Sequence, residues 1–156
     1  MKKFFFDCGT RDVTASVGIL VLRVLIGLMM LIGHGYPKLH DFSTLKEKFP
    51  IAEIFPLSHM SKQVSLGACI FGEFVAAALI ILGLSTRPAA FILGFTMVVA
   101  AFQIHSGAPW FFGPGADVAK EPALLYLIPM IALIFSGAGA FSLDAGLYRE
   151  KRSRRW

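Results

Sequence analysis

Four long stretches of the chain are almost entirely apolar, and each approaches the length of a membrane-spanning helix. A helix needs roughly 20 mostly apolar residues to cross the hydrocarbon core of a bilayer. The stretches cover residues 14–36, 63–84, 88–105 and 122–141. None has the alternating pattern of a membrane β-strand, so all four are predicted to be helices. The pattern therefore predicts an all-α integral membrane protein, a single domain over residues 1–156 folded as a four-helix bundle.

Turn-forming residues separate these stretches, and the composition agrees with a bilayer environment. Pro37 is expected to stop the first stretch, the sequence at 85–88 predicts a tight turn, and Pro122 opens the fourth stretch. The segment 106–120 is rich in Gly, Pro and aromatic residues, which indicates a loop. Hydrophobic residues make up 56% of the chain, charged residues 16%, and the mean hydropathy is +0.68. A soluble domain of this size is rarely so apolar.

The positions of the basic residues predict the orientation of the chain. Cytoplasmic loops of membrane proteins carry an excess of Lys and Arg. A four-span topology places most of the basic residues on one side, and these are Lys2, Lys3, Arg11, Arg87, Arg149, Lys151, Arg152, Arg154 and Arg155. Both termini are therefore expected in the cytoplasm, with the protein as a multi-pass component of the inner membrane. The net charge of +5 is interpreted as this signal and as contact with anionic lipid, not as nucleic-acid binding.

Two charged residues lie deep within predicted spans and must have partners. A charge at the centre of a bilayer costs at least ~2.5 kcal/mol, so such groups usually face a partner or a cavity. Counted at 1.5 Å per residue from the cytoplasmic side, Arg23 and Glu73 lie at similar depths. We expect them to form an intramembrane ion pair between the first two spans, with a proton-relay or ligand-binding role for Glu73 as the alternative.

A second polar group is predicted at the outer mouth of the bundle. His34 and Lys38 lie on the same face of the first helix as Arg23, and His105 ends the third span at the same level. Glu121 opens the fourth span on that side. We expect His34, Lys38, His105 and Glu121 to form an outward polar pocket with Arg23 and Glu73 at its floor. The alternative is that each side chain extends to the interface or pairs there on its own.

Motifs for tightly bound redox groups are missing from the sequence. There is no C-x-x-C-H, H-x-x-H or E-x-x-H spacing for haem or metal, and no flavin or nicotinamide fingerprint. Cys8 and Cys69 are not expected to pair, and Cys69 is interpreted as a small core residue. The predicted pocket instead suits an anion or a quinone head, because imidazole and ammonium groups donate hydrogen bonds to oxygen and His with Glu can exchange protons.

Several short motifs together resemble the DoxX family. They are Leu22-Arg23-Val24-Leu25-Ile26-Gly27, His34-Gly35-Tyr36-Pro37-Lys38-Leu39, Gly72-Glu73 leading to Leu82-Gly83-Leu84-Ser85-Thr86-Arg87, and Ser136-Gly137-Ala138-Gly139-Ala140-Phe141-Ser142-Leu143-Asp144. The resemblance implies a four-helix membrane bundle. Some family members resemble the membrane subunit of a thiosulfate:quinone oxidoreductase, and others are linked to membrane complexes in thiol and oxidative-stress defence. Chemistry is carried over only to Arg23, His34, Lys38 and Glu73, while Arg87 and Asp144 are expected to fix helix ends.

Two functions remain open at this point. The first is a quinone-linked membrane oxidoreductase, or its quinone-binding subunit, acting on small sulfur anions or thiols with His34, Lys38, His105 and Glu121 as catalytic groups. Arg23, His34 and Glu73 would then hold the quinone. The second is a non-enzymatic scaffold or accessory subunit of such a complex, held by partner subunits or as a homo-oligomer. An enzyme requires His34, Lys38 and His105 to converge on a cavity, whereas a scaffold can bury them in mutual hydrogen bonds.

Overall fold

A computed structural model describes residues 7–147, and every regular element within that range is helical. The predictions about Lys2, Lys3 and the basic residues from Arg149 onward lie outside the described residues. The helices are α1 Val13–His40, α2 Phe42–Leu45, α3 Lys62–Leu82, α4 Thr86–Ile104, α5 Glu121–Ser136 and α6 Leu143–Leu147, with a 3₁₀ turn at Leu57–His59.

Three of these helices, α1, α3 and α4, are long and apolar enough to cross a membrane. Helix α5 is equally apolar but has 16 residues, which is about 24 Å of helix at the usual rise. It ends at Ser136 rather than at the predicted residue 141, because Gly137 leaves the helical conformation with φ 76° and ψ −163°. Residues 137–142 are therefore not part of this helix but a separate connection to α6.

The core forms where α4 packs along α5 and where α1 and α3 close over them. Leu93 and Met97 of α4 and Met130 and Leu133 of α5 are almost completely buried. Met30 of α1 and buried alanines of α3 complete the same cluster. The outward faces of the helices stay apolar and exposed, as expected for surfaces that contact lipid.

Glycines set how closely the helices approach one another. A Cβ at residue 35 of α1 would lie 2.6 Å from the carbonyl oxygen of Glu73 in α3, so only glycine fits there. A Cβ at residue 72 of α3 would lie 2.2 Å from the hydroxyl of Thr96 in α4. Small residues of this kind let membrane helices pack backbone to backbone. Helices α1, α3 and α4 therefore meet closely at the level of Glu73.

Where α1 and α4 begin, a small set of polar side chains forms hydrogen bonds with backbone groups. The two carboxylate oxygens of Asp144 accept hydrogen bonds from the backbone N–H groups of Ser85 and Thr86, at 2.7 and 2.9 Å, and so cap the start of α4. The buried hydroxyl of Ser16 accepts one from Ala140 at 3.0 Å. These bonds tie residues 137–144 to the beginnings of α1 and α4. Asp144 thus fixes a helix end, as expected.

Substituting Gly35 tests the close approach of α1 and α3. Gly35→Ala should lower the free energy of unfolding by roughly 1–3 kcal/mol, because the new methyl group meets backbone atoms that cannot rotate away. Gly33→Ala is the matched control, since a Cβ at residue 33 of the same helix meets nothing within 4 Å. Thermal unfolding of the two variants in one detergent measures the difference. Equal midpoints for both would contradict this close packing.

Candidate functional site

A cavity of about 400 Å³ opens at the end of the molecule where α1 finishes and α5 begins. Its wall combines apolar side chains such as Met30 and Met97 with a few polar ones. The polar side chains in the wall are His34, Lys38, Cys69, Glu73, His105, Asp117 and Tyr126. A mostly apolar cavity with a few polar groups is the usual form of a small-molecule site.

An ion pair between Lys38 of α1 and Glu73 of α3 forms part of this wall. The Glu73 side chain is 6% exposed and the Lys38 side chain 24% exposed. The other carboxylate oxygen of Glu73 accepts a hydrogen bond from the thiol of Cys69 at 3.3 Å. A buried carboxylate needs such partners, because an uncompensated charge in apolar surroundings is very costly.

The expected Arg23–Glu73 ion pair is wrong. The Arg23 guanidinium instead donates to the backbone carbonyl oxygens of Ile80 at 3.0 Å and Phe141 at 2.7 Å, and more weakly to that of Ile81. Equal depths for Arg23 and Glu73 would require the first two helices to start and end at the same level. Arg23 contacts the last turn of α3, so the residues of α1 that precede Arg23 extend beyond the end of α3. This offset places Lys38, and not Arg23, opposite Glu73. Arg23 is accordingly absent from the cavity wall and does not form its floor.

Three π-helical turns lie at the level of the cavity. They cover Leu31–Gly35 in α1, Phe71–Ala76 in α3 and Ala100–Ile104 in α4. The first contains His34, the second contains Glu73, and His105 directly follows the third. A π turn changes the direction of the side chains after it and occurs frequently at functional sites. The local distortion of all three helices thus coincides with the polar groups.

The two histidines of the cavity are available to a ligand. Within residues 7–147 neither imidazole takes part in a hydrogen bond. The ring of His34 packs edge-on against Tyr126 of α5, with 5.5 Å between the ring centres. His105 ends α4 in a non-helical conformation and lines the same cavity. His34, Lys38 and His105 therefore share one cavity, which is the arrangement that a ligand site requires.

Glu121 lies beside the cavity but outside its wall. Its carboxylate accepts a hydrogen bond from the backbone N–H of Phe112 at 3.1 Å, while its neighbour Pro122 lines the cavity. The next residue back, Lys120, lies 5.1 Å from the ring centre of Trp110. These contacts hold the loop 106–120 over the start of α5. Glu121 thus positions the loop and is not in contact with the space inside.

Sequence reasoning misses three polar residues of the cavity wall, namely Cys69, Asp117 and Tyr126. Cys69, interpreted from the sequence as a core residue, is half-buried and bonded to Glu73. Its position one helical turn before Glu73 is the signal that could have found it. Tyr126 lies one turn after the start of α5, and that place offers little to distinguish it from an interfacial aromatic residue. Among residues 7–147 no group of three or more His, Cys, Asp or Glu side chains could hold a metal ion.

Comparison with known proteins places most of these groups in a matched region. The sequence model of the DoxX family matches residues 18–106, which include His34, Lys38, Glu73 and His105. An uncharacterized protein of Haemophilus influenzae is 35% identical over 130 residues, covering 83% of this chain and 90% of that relative. Another uncharacterized protein of the same organism is 24% identical over 157 positions, covering 96% of each chain. No solved structure matches the chain.

A double-substitution cycle tests the ion pair. Lys38→Met should lower the free energy of unfolding by about 3 kcal/mol, because it leaves the Glu73 carboxylate buried without its cation. Adding Glu73→Gln removes the uncompensated charge, so the double variant should be more stable than Lys38→Met alone. Lys48→Met, at an exposed position, is the control and should change little. Thermal unfolding in detergent gives the values, and effects that simply add would argue against the pair.

Proposed function

The chain belongs to the DoxX family of membrane proteins, and we propose that it is a quinone-linked oxidoreductase or the quinone-binding membrane subunit of one. The proposal includes four membrane spans, with α5 as the shortest, and both termini on the cytoplasmic side of the inner membrane. Arg11 and Arg87 lie at the end that would face the cytoplasm, in agreement with the usual distribution of basic residues. The cavity would then face the outer side.

The observation that carries the proposal is the convergence of His34, Lys38, Glu73 and His105 on one largely apolar cavity. A quinone head has apolar ring faces and two carbonyl oxygens that accept hydrogen bonds. The two imidazoles have no hydrogen-bond partner within the described residues and can donate to those oxygens. Apolar residues such as Met30 can contact the ring faces. The cavity thus offers both kinds of contact that such a head needs.

The polar residues also provide a route for protons. Reduction of a quinone to a quinol takes up two electrons and two protons. His34 and His105 can each deliver a proton at the cavity wall, and both can be recharged from the outer side, where the ends of α1 and α4 lie. Lys38 and Glu73 form an ion pair in the wall of the same cavity. In this assignment the histidines exchange protons, and the ion pair orients the head.

Small sulfur anions or thiols are the electron donors that we propose. Oxidation of two thiosulfate ions to tetrathionate, or of two thiols to a disulfide, releases the two electrons that a quinone accepts. The chain has no flavin or nicotinamide fingerprint. A partner subunit would therefore carry any further redox group between donor and quinone.

A scaffold role is the second candidate, and one observation favours it. Lys38 and Glu73 satisfy each other, and Arg23 is bonded to backbone carbonyl groups, so these charges can serve the fold alone. The imidazoles of the cavity, which have no hydrogen bonds within the described residues, favour a ligand site, because a scaffold does not need such polar groups around an open space. The enzymatic interpretation is preferred for that reason.

Mass spectrometry of lipids that co-purify with the protein tests quinone binding. The wild type should retain close to one quinone per chain, and His34→Ala should retain about tenfold less, the effect of losing one hydrogen bond of roughly 1.4 kcal/mol. His40→Ala is the matched control on the same helix, since its exposed ring binds Asp41 outside the cavity. Quinone absent from the wild type, or equal in all three proteins, would contradict the proposal and favour the scaffold.

A further inference from the structure

A second cavity of about 420 Å³ lies between α3, α4 and the loop 46–61, next to the polar one. It is an apolar groove on the side of the molecule that faces the bilayer in the proposed topology. Three phenylalanines at its edge, Phe71, Phe91 and Phe95, are 49%, 64% and 51% exposed. The groove therefore borders the exposed apolar surface at these three rings.

The polar groups in the wall of this groove already have partners. The hydroxyl of Ser65 donates to the carbonyl oxygen of Pro50 at 3.2 Å, and that of Thr96 donates to the carbonyl oxygen of Ile92 at 3.0 Å. The thiol of Cys69 is bonded to Glu73. The rest of the wall is hydrocarbon and aromatic. Such a groove suits an apolar chain and offers nothing to a polar molecule.

The groove and the polar cavity share part of their walls. Phe49, Cys69, Ala100 and Ile104 line both spaces. Cys69 lies at the boundary between the polar cavity and the apolar groove. Its thiol donates a hydrogen bond to the carboxylate of Glu73, and Cys69 also lines the groove. A single molecule with a polar head and a hydrocarbon chain would therefore match the two spaces in order, with its head beside His34 and its chain beside Phe71.

We propose that the groove holds the hydrocarbon chain of the ligand whose head occupies the polar cavity, so that the ligand enters sideways from the bilayer between α3 and α4. This inference rests on the proposed function and adds to it the substrate class, a quinone with a long isoprenoid chain. A water-soluble quinone would not use the groove.

A bulky side chain in the groove should weaken binding of the ligand's hydrocarbon chain and leave binding of its head unchanged. Ala68 is exposed and lines the groove but not the polar cavity, so Ala68→Phe should block the chain without touching the head site. Val75→Phe is the matched control, at a position of α3 that is 37% exposed and lines neither space. Thermal unfolding of both variants checks that the fold is kept.

Two ligands are compared in the experiment. Mass spectrometry measures the long-chain quinone that co-purifies. Calorimetric titration of protein stripped of bound quinone by detergent exchange measures binding of a quinone with one isoprene unit. We expect Ala68→Phe to lose long-chain quinone about tenfold while its Kd for the short quinone stays within about twofold of the wild type. His34→Ala should weaken both, and Val75→Phe neither.

The outcomes distinguish the two proposals. Long-chain quinone retained by Ala68→Phe as by the wild type would overturn the groove assignment and leave the head site in place. Loss of co-purified phospholipid alone from Ala68→Phe would overturn it as well, because the groove would then hold a lipid acyl chain. A wild type that binds neither quinone would overturn the proposed function itself.

Discussion

The ion pair between Lys38 and Glu73 is the interaction on which the site depends. A carboxylate that is 6% exposed among apolar helices requires a cation close by, and Lys38 can supply it only if α1 approaches α3 closely. Gly35 permits that approach because any larger residue would meet the backbone of Glu73. The cavity beside the pair follows from the same constraint, since the π turns that carry His34 and Glu73 turn both side chains toward it.

Polar groups have different roles at the two ends of the helices. At the end near Asp144 they bind the backbone, because Arg23 donates to carbonyl oxygens while Asp144 and Ser16 accept from N–H groups. These bonds fix the connection between α5 and α6 against the other helices. At the other end the imidazole rings of His34 and His105 line the cavity, and neither ring takes part in a hydrogen bond within residues 7–147. Stability and binding are thus assigned to opposite ends of one small protein.

The sequence predicted where the long helices lie, because apolar runs of this length have few alternative structures in a bilayer. The predicted end of the first span was wrong, since α1 continues through Pro37 to His40. The sequence also predicted that His34, Lys38 and His105 share one cavity, since helical spacing places them at the same level. The partner of Glu73 could not be predicted, because the offset of α1 against α3 depends on where Gly35 packs and not on the ends of the apolar runs. The early end of α5 depends on the backbone at Gly137, and the role of Tyr126 depends on a contact between distant helices.

Cross-linking in the native membrane tests most directly whether α1 and α3 pack in the register that pairs Lys38 with Glu73. With Cys8 and Cys69 replaced by Ser, cysteines are introduced as Lys38→Cys with Glu73→Cys, or as Arg23→Cys with Glu73→Cys. A short bifunctional thiol reagent should link the first pair within one chain and leave the second pair unlinked. A link between residues 23 and 73, with none between 38 and 73, would contradict this register and with it the site.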